Sequence, residues 1–270
     1  MDIMGMNTME SLTKSQKIVD LHCHILPGID DGSPDLEHSL SLARAAVDEG
    51  ITHILATPHH LDGVFVNHAD DVVKATAAFQ KQLKKNNLPL QVFPGQEIHL
   101  SGELPELYAD LLGTDERKGF LMIELPCDSV PMYTKRLFFE LRKLGTTPVI
   151  VHPERNAAIQ KEPNILYDFI ANGFYAQLTA SSLVGLFGEK IEKISRDFIE
   201  HGLVQIVASD AHDLEKRQFV LREALVLIRD SYGSAALERF EQSAENLLNG
   251  TGPLLSEISE IRPKKRFFFF

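Results

Sequence analysis

Apolar residues gather in seven short runs along the chain: Lys17–Leu21, Thr52–Ala56, Leu90–Phe93, Phe120–Glu124, Thr147–Val151, Phe174–Leu178 and Leu203–Val207. Each is near-continuously apolar, the pattern of strands buried on both faces of a parallel sheet. Between the runs, apolar positions recur at helical spacing. Leu36, Leu40, Ala43 and Val47 make one stripe, with Ser33 as the expected N-cap, Pro34 as the first helical residue and Gly50 as the stop. Leu137, Leu141 and Leu144 end at Gly145, Ile191, Ile194 and Phe198 before Gly202, and Leu221, Leu225 and Ile228 before Gly233. Seven strand–helix units, each the size of a βαβ element, predict an α/β fold with a parallel sheet, open or closed into a barrel. No long Gly/Ser/Pro linker interrupts them. The expected organisation is one domain over residues 17–250, an N-terminal extension (1–16) and a C-terminal tail (251–270).

The polar residues separate barrel from open sheet. His22, His24 and Asp31 follow the first run, His59 the second and Glu97 the third. Glu124 closes the fourth, His152 follows the fifth, and Asp210 and His212 follow the seventh. In a (β/α) barrel all strand C-termini converge on one face, whereas in an open sheet only those beside the switch point do. Six contributing strands favour the barrel.

Strand side chains alternate, so His22 and His24 point the same way with Cys23 turned off, and Asp210 and His212 do the same around Ala211. A lone histidine at a strand end is commonly a hydrogen-bonded loop residue. Paired signatures on the first and last strands, with Glu or His between, point instead to coordination. Imidazole and carboxylate without thiolate suit Zn, Mn or Fe. Nine candidate ligands exceed the needs of one ion, which implies two or three with a bridging carboxylate.

Two arginines, Arg155 and Arg217, follow His152 and His212 closely enough to reach over the same face. Their forked donors match phosphate oxygens. Arg196 and Arg222 fall on helical stripes and are expected to be solvated. His60 and His99 are expected behind the ligands or facing substrate, and Cys23 and Cys127 as packed thiols. Neither cysteine opens a Cys-x5-Arg loop, because Ile29 and Tyr133 stand six residues on. Cysteine-nucleophile phosphatase chemistry is thereby excluded.

Composition narrows the class further. The 270 residues are 44% hydrophobic, with 27 basic and 38 acidic side chains and a net charge of −11. That balance suits a packed globular chain and repels both phosphodiester backbone and anionic lipid. Met1 to Asp20 carries no secretory pattern, and no apolar run approaches the ~20 residues of a membrane span. A soluble, cytoplasmic protein without a disulfide framework is expected.

The segments Asp20-Leu-His22-Cys-His24-Ile-Leu-Pro-Gly-Ile-Asp-Asp31-Gly, Ala56-Thr-Pro-His59-His60, Pro94-Gly-Gln-Glu97, Val151-His152-Pro-Glu-Arg155-Asn and Ala208-Ser-Asp210-Ala-His212 resemble the polymerase-and-histidinol-phosphatase superfamily. More narrowly, the chain from Lys17 to Asn249 is similar to the manganese-dependent bacterial tyrosine-protein phosphatases of capsule and exopolysaccharide operons. The resemblance implies a distorted (β/α)7 TIM-like barrel and a trinuclear centre, with Mn2+ expected and Fe or Zn possible on these ligands. His22, His24, Glu97 and Asp210 would hold the first ion. Glu97 would bridge to a second, bound also by Glu124 and His152, and Asp31, His59 and His212 would hold the third. Arg155 and Arg217 match the phosphate-binding arginines. The substrate implied is the phosphotyrosine-rich tail of a bacterial tyrosine autokinase, cleaved by a metal-bridging hydroxide. A small phosphomonoester such as histidinol phosphate is the alternative. Lys264-Lys-Arg-Phe-Phe-Phe-Phe270 reads as a frayed tail or a docking peptide.

Overall fold

Parallel strands form where the apolar runs lie, but two of the seven are split. In the computed structural model, which describes residues 17–262, β1 (Ile18–Cys23) pairs with β2 (Ile51–Ala56), and β2 with β4 (Gln91–Pro94). A second sheet runs in the order β3 (His59–His60), β5 (Glu97–His99), β6 (Phe120–Glu124), β7 (Thr147–Val151), β8 (Tyr175–Thr179) and β9 (Ile206–Ala208). Pro58, which has no N–H to give a ladder, separates β2 from β3, and Gly95-Gln96 separates β4 from β5. The second and third strands thus begin in one sheet and finish in the other.

The remaining seam lies between β9 and β1. There Cys23 bridges Ala211 in parallel, Asp210 N donates to His22 O at 2.8 Å, and His24 N donates to Ala211 O at 2.9 Å. These bonds close a seven-stranded, TIM-like barrel and draw the first and last ligand pairs together. Asp20 reinforces the seam from its buried position, accepting from Ser209 N at 2.9 Å and Ser209 Oγ at 2.5 Å.

Val19, Leu21, Leu55, Phe120, Met122, Val149, Val151 and Ile206 fill the barrel interior. Ala244 and Leu247 of α9 (Ser234–Leu248) plug its lower end. The outer strand faces carry Ile54, Ile98, Ile123 and Ile150 into a second core shared with α1 (Leu36–Asp48), α2 (Ala69–Lys85), α3 (Thr134–Lys143) and α7 (Glu189–Glu200). Leu42, Phe79, Phe138 and Phe198 supply their buried anchors. The shorter α4 (Ala157–Lys161), α5 (Asn164–Ala171) and α6 (Ala180–Leu183), with α8 (Leu221–Tyr232), complete the ring.

Several expectations need correction. The N-cap of α1 is Asp35, whose carboxylate accepts from His38 N at 2.9 Å, so Pro34 precedes the cap and Ser33 lies outside the helix. Its buried face is Ser39, Leu42, Ala43 and Ala46, while Leu36 is exposed. Ser39 turns inward because its hydroxyl donates to Ser33 Oγ at 2.8 Å. Cys127 is exposed rather than packed, whereas Cys23 is buried. Arg222 is not simply solvated: its Nε donates to Glu49 O at 2.6 Å and binds the chain just beyond α1. Residues 251–262 fold back on the barrel. Ile258 and Ile261 pack on the core, and Ile261 exchanges backbone hydrogen bonds with the Asn164 amide. The extension 1–16 and the segment Lys264–Phe270 lie outside the described residues. Among the described residues, no helix is long and apolar enough to cross a membrane.

Candidate metal centre

All nine predicted ligands reach the C-terminal mouth of the barrel, and local irregularities put them there. Val19 and Leu21 point into the interior, so strict alternation would send Cys23 inward next. Instead, three steps of β1, from Asp20 to Cys23, oppose two of β2, from Ile54 to Ala56. This bulge shifts the phase and brings His22 and His24 to the mouth, with Cys23 in the outer core. His152 (φ 34°) and Asp210 (φ 54°) hold left-handed backbone, uncommon without glycine. Gly32 is required by a close approach: a Cβ there would stand 2.3 Å from His24 O. The turn it permits brings Asp30 and Asp31 back over His24.

Glu97 lies at the centre. Its Oε2 is 3.1 Å from His22 Nε2 and 3.1 Å from His24 Nε2, and its Oε1 is 2.7 Å from His152 Nε2. Asp210 Oδ1 is 3.4 Å from His22 Nε2. Asp31 Oδ1 lies 3.3 Å from His59 Nε2 and 3.3 Å from His212 Nε2. Glu124 approaches His152 and His59, each at 3.9 Å. Donor atoms of three sets lie within 4.8 Å of one another: His22, His24, Glu97 and Asp210; His24, Asp31, His59 and His212; and His59, Glu97 and Glu124.

The donor set fits divalent cations. His22 Nδ1 donates to Gln177 Oε1 at 3.0 Å, His24 Nδ1 to Asp30 Oδ2 at 2.8 Å and His212 Nδ1 to Asp210 O at 2.9 Å. Each outer bond turns Nε2 inward, as the partners of metal-binding imidazoles do. His22 Nε2 and His24 Nε2 then stand 3.2 Å apart, an arrangement that a shared cation resolves. Among the described residues, Glu97 Oε2, His59 Nδ1 and His212 Nε2 are buried without a hydrogen-bond partner.

The electrostatics agree. Burial opposes charge on Glu97, but His22 beside it and the His152 hydrogen bond hold its carboxyl well below the usual range. Asp210 is likewise depressed despite burial, by His22, Arg217 and Arg155. Burial disfavours a charged His24, yet Asp30 and Glu97 push it up to about 10. Protons on imidazole thus offset the carboxylates where cations would otherwise do so.

Both arginines point at the cluster. Arg155 Nη1 donates to Asp210 Oδ2 at 2.5 Å, and Arg217 Nη2 donates to both Asp210 oxygens at 2.9 Å. His99 Nδ1 donates to Glu124 Oε2 at 3.2 Å, within the expected supporting role. His60 turns away, its ring centroid 6.3 Å from that of His68. Three supporting residues escaped the sequence reading. Asp30 was masked by its neighbour Asp31, while Gln177 was legible as a polar break in the Phe174–Leu178 run. Glu154, a buried carboxylate accepting from Thr179 N and Ser182 Oγ, carried no such mark.

A family model described as capsular polysaccharide synthesis, CpsB/CapC, matches residues 18–249. This chain belongs to the CpsB/CapC family. The tyrosine-protein phosphatase YwqE of Bacillus subtilis (strain 168) is 40% identical over 255 residues, 94% of this chain and 100% of that one. The tyrosine-protein phosphatase CpsB of Streptococcus agalactiae is 30% identical over 238 residues, 86% of this chain and 98% of its own. A crystal structure from work on YwqE of Bacillus subtilis and CpsB of Streptococcus pneumoniae, described as unique metal-dependent tyrosine phosphatases, superposes with a TM-score of 0.88 at 39% identity. It covers 91% of this chain and 100% of the other. As a CpsB/CapC member, the chain is a metal-dependent tyrosine-protein phosphatase of capsular polysaccharide synthesis. An organophosphorus hydrolase from Deinococcus radiodurans, at TM-score 0.52 and 14% identity over 87% of this chain and 93% of its own, shares the barrel alone.

Proposed function

We propose that this phosphatase hydrolyses phosphotyrosine in the tail of a bacterial tyrosine autokinase, with Mn2+ as the working metal. His22, His24, Glu97 and Asp210 would hold one ion, Glu97, Glu124 and His152 a second, and Asp31, His59 and His212 a third. Bound ions of this kind supply Lewis acidity toward the phosphoryl oxygens and lower the pKa of water toward neutrality.

The chain's own residues do the rest. Arg155 and Arg217 leave Asp210 to grip phosphoryl oxygens as negative charge spreads over them, and they return to it when phosphate departs. Gln177 and Asp30 keep the His22 and His24 rings aimed inward throughout. The observation that carries this reading is the convergence of eight donors, all but the exposed Asp31 buried or partly buried, with His152 against Glu97 and two arginines against Asp210.

The test is release of phosphate from a phosphotyrosyl peptide with Mn2+, beside histidinol phosphate and a single-stranded oligonucleotide. The reading expects turnover of the peptide above the other two, abolished by chelator and restored by Mn2+. Preference for histidinol phosphate would sink it.

A further inference from the structure

Beside the two arginines lies a cavity of about 320 Å³ that the chemistry at phosphorus does not use, lined by Arg155, Gln160, Phe187, Ile191 and Arg217. Its size is at the lower end of small-molecule sites. One wall is cationic and continuous with the metal cluster through Asp210. Phe187 and Ile191 supply the cavity's apolar lining. Phe187 faces the guanidinium of Arg155, with Cζ 5.7 Å from the ring centroid, and Ile191 follows it in the first turn of α7.

The residues that line the cavity are held firmly in place. Phe187 sits between Gly185 (φ 86°) and Gly188 (φ 91°), the second of which is the N-cap of α7. The left-handed φ of Gly185 is one that residues with a Cβ rarely adopt, so the turn carrying Phe187 favours glycine there. Gln160, from α4, donates to Glu154 O at 3.0 Å and accepts from Lys190 Nζ at 2.7 Å. Glu154 in turn holds Thr179 N and Ser182 Oγ, which ties the loop after β7 to the segment leading to Phe187.

We infer that Phe187, with Ile191 and Gln160, forms the subsite that receives the phenyl ring of phosphotyrosine and selects aryl over alkyl phosphate esters. This rests on the phosphotyrosine reading above. A phosphoryl group gripped by Arg155 and Arg217 leaves its ester oxygen at the edge of this cavity. An aryl ring attached there meets the Phe187 ring and the Ile191 side chain. A serine or small alkyl ester, one or two carbons wide, reaches neither.

The experiment measures inhibition of the Mn2+-loaded enzyme by phenylphosphonate and by methylphosphonate, for the parent, Phe187→Ala and Phe187→Tyr. An aromatic pair contributes about 0.5–1.5 kcal/mol, which corresponds to roughly two- to tenfold in an inhibition constant. Phe187→Ala is expected to shift the phenyl-to-methyl ratio of inhibition constants by about that factor against the phenyl compound, and Phe187→Tyr to restore it. Equal weakening of both inhibitors, or no shift in the ratio, would overturn the subsite. Absence of chelator-sensitive phosphate release from phosphotyrosine by the parent would instead overturn the substrate reading.

Discussion

Arg155 Nη1 donates to Asp210 Oδ2, so a side chain placed to hold phosphate is tied to a carboxylate of the metal cluster. Arg217 holds the same carboxylate through two bonds. Removing Arg155 therefore leaves Asp210 with a cationic partner. Arg155→Ala is expected to keep its bound metal while losing about 2–4 kcal/mol of transition-state stabilisation, or roughly 30- to 1,000-fold in kcat/KM. Arg155→Lys should recover only part, because an ammonium cannot present the planar fork. Steady-state kinetics with metal analysis of each variant checks this, and turnover within threefold of the parent would refute it.

Metal should stabilise the fold as well as the reaction. Asp31, Glu97, Glu124 and Asp210 converge in a partly dry mouth, where protonated imidazoles are weaker compensation than divalent ions. Ion at a hundredfold excess over its Kd adds about 2.7 kcal/mol, and at about 2–4 °C per kcal/mol Tm should rise by roughly 5–10 °C. Differential scanning of chelated protein before and after Mn2+ addition reads this directly. An unchanged Tm across that titration would mean the cluster holds no ion tightly.

Asp30 is the support most exposed to a simple test. It fixes the His24 ring through Nδ1 and also accepts from Gly32 N at 3.0 Å, so it sets both an imidazole and the turn carrying Asp31. Asp30→Asn is expected to weaken metal binding by roughly 10- to 100-fold while leaving the far-ultraviolet spectrum intact. Calorimetric titration with Mn2+ measures the change. An affinity equal to the parent's would show that His24 needs no such support.

Much of this architecture was legible in the chain, because buried parallel strands leave continuous apolar runs and ligands fall where those runs stop. His22, His24, Asp210 and His212 stood out for that reason. The step of strands two and three between sheets was not legible, since Pro58 and Gly95 read as ordinary turn residues until the ladders are seen. The phase of β1 was also hidden. Alternation predicts that His22 and His24 share a side, but a bulge decides which side. The α1 stripe failed by rotation: Leu36 and Leu40 match the helical period, yet a hydroxyl pair between Ser33 and Ser39 turns a polar residue inward instead. Phe187 was unreadable because a lone aromatic between glycines carries no periodicity.

Barrel closure brings its own pH dependence. Asp20 is fully buried in the seam, and burial, only partly offset by its Ser209 hydrogen bonds, raises its pKa from 3.8 to about 6. The folded state therefore holds this proton more tightly than the unfolded chain. Between pH 4 and 6 the folded state binds the extra proton, so this group's contribution to stability falls as pH rises through that window. The drop is on the order of 3 kcal/mol across it, from 1.36 kcal/mol per pKa unit. Asp20→Asn should flatten that part of the profile, since the amide carries no titrating proton, its oxygen can still accept from Ser209 N, and its NH2 can donate to Ser209 Oγ. Urea unfolding of both proteins at pH 4.5 and 7, in chelator to suppress the metal contribution, is the measurement. The parent should lose relative stability at the higher pH and the variant should not; identical profiles would mean that Asp20 titrates as an ordinary carboxylate.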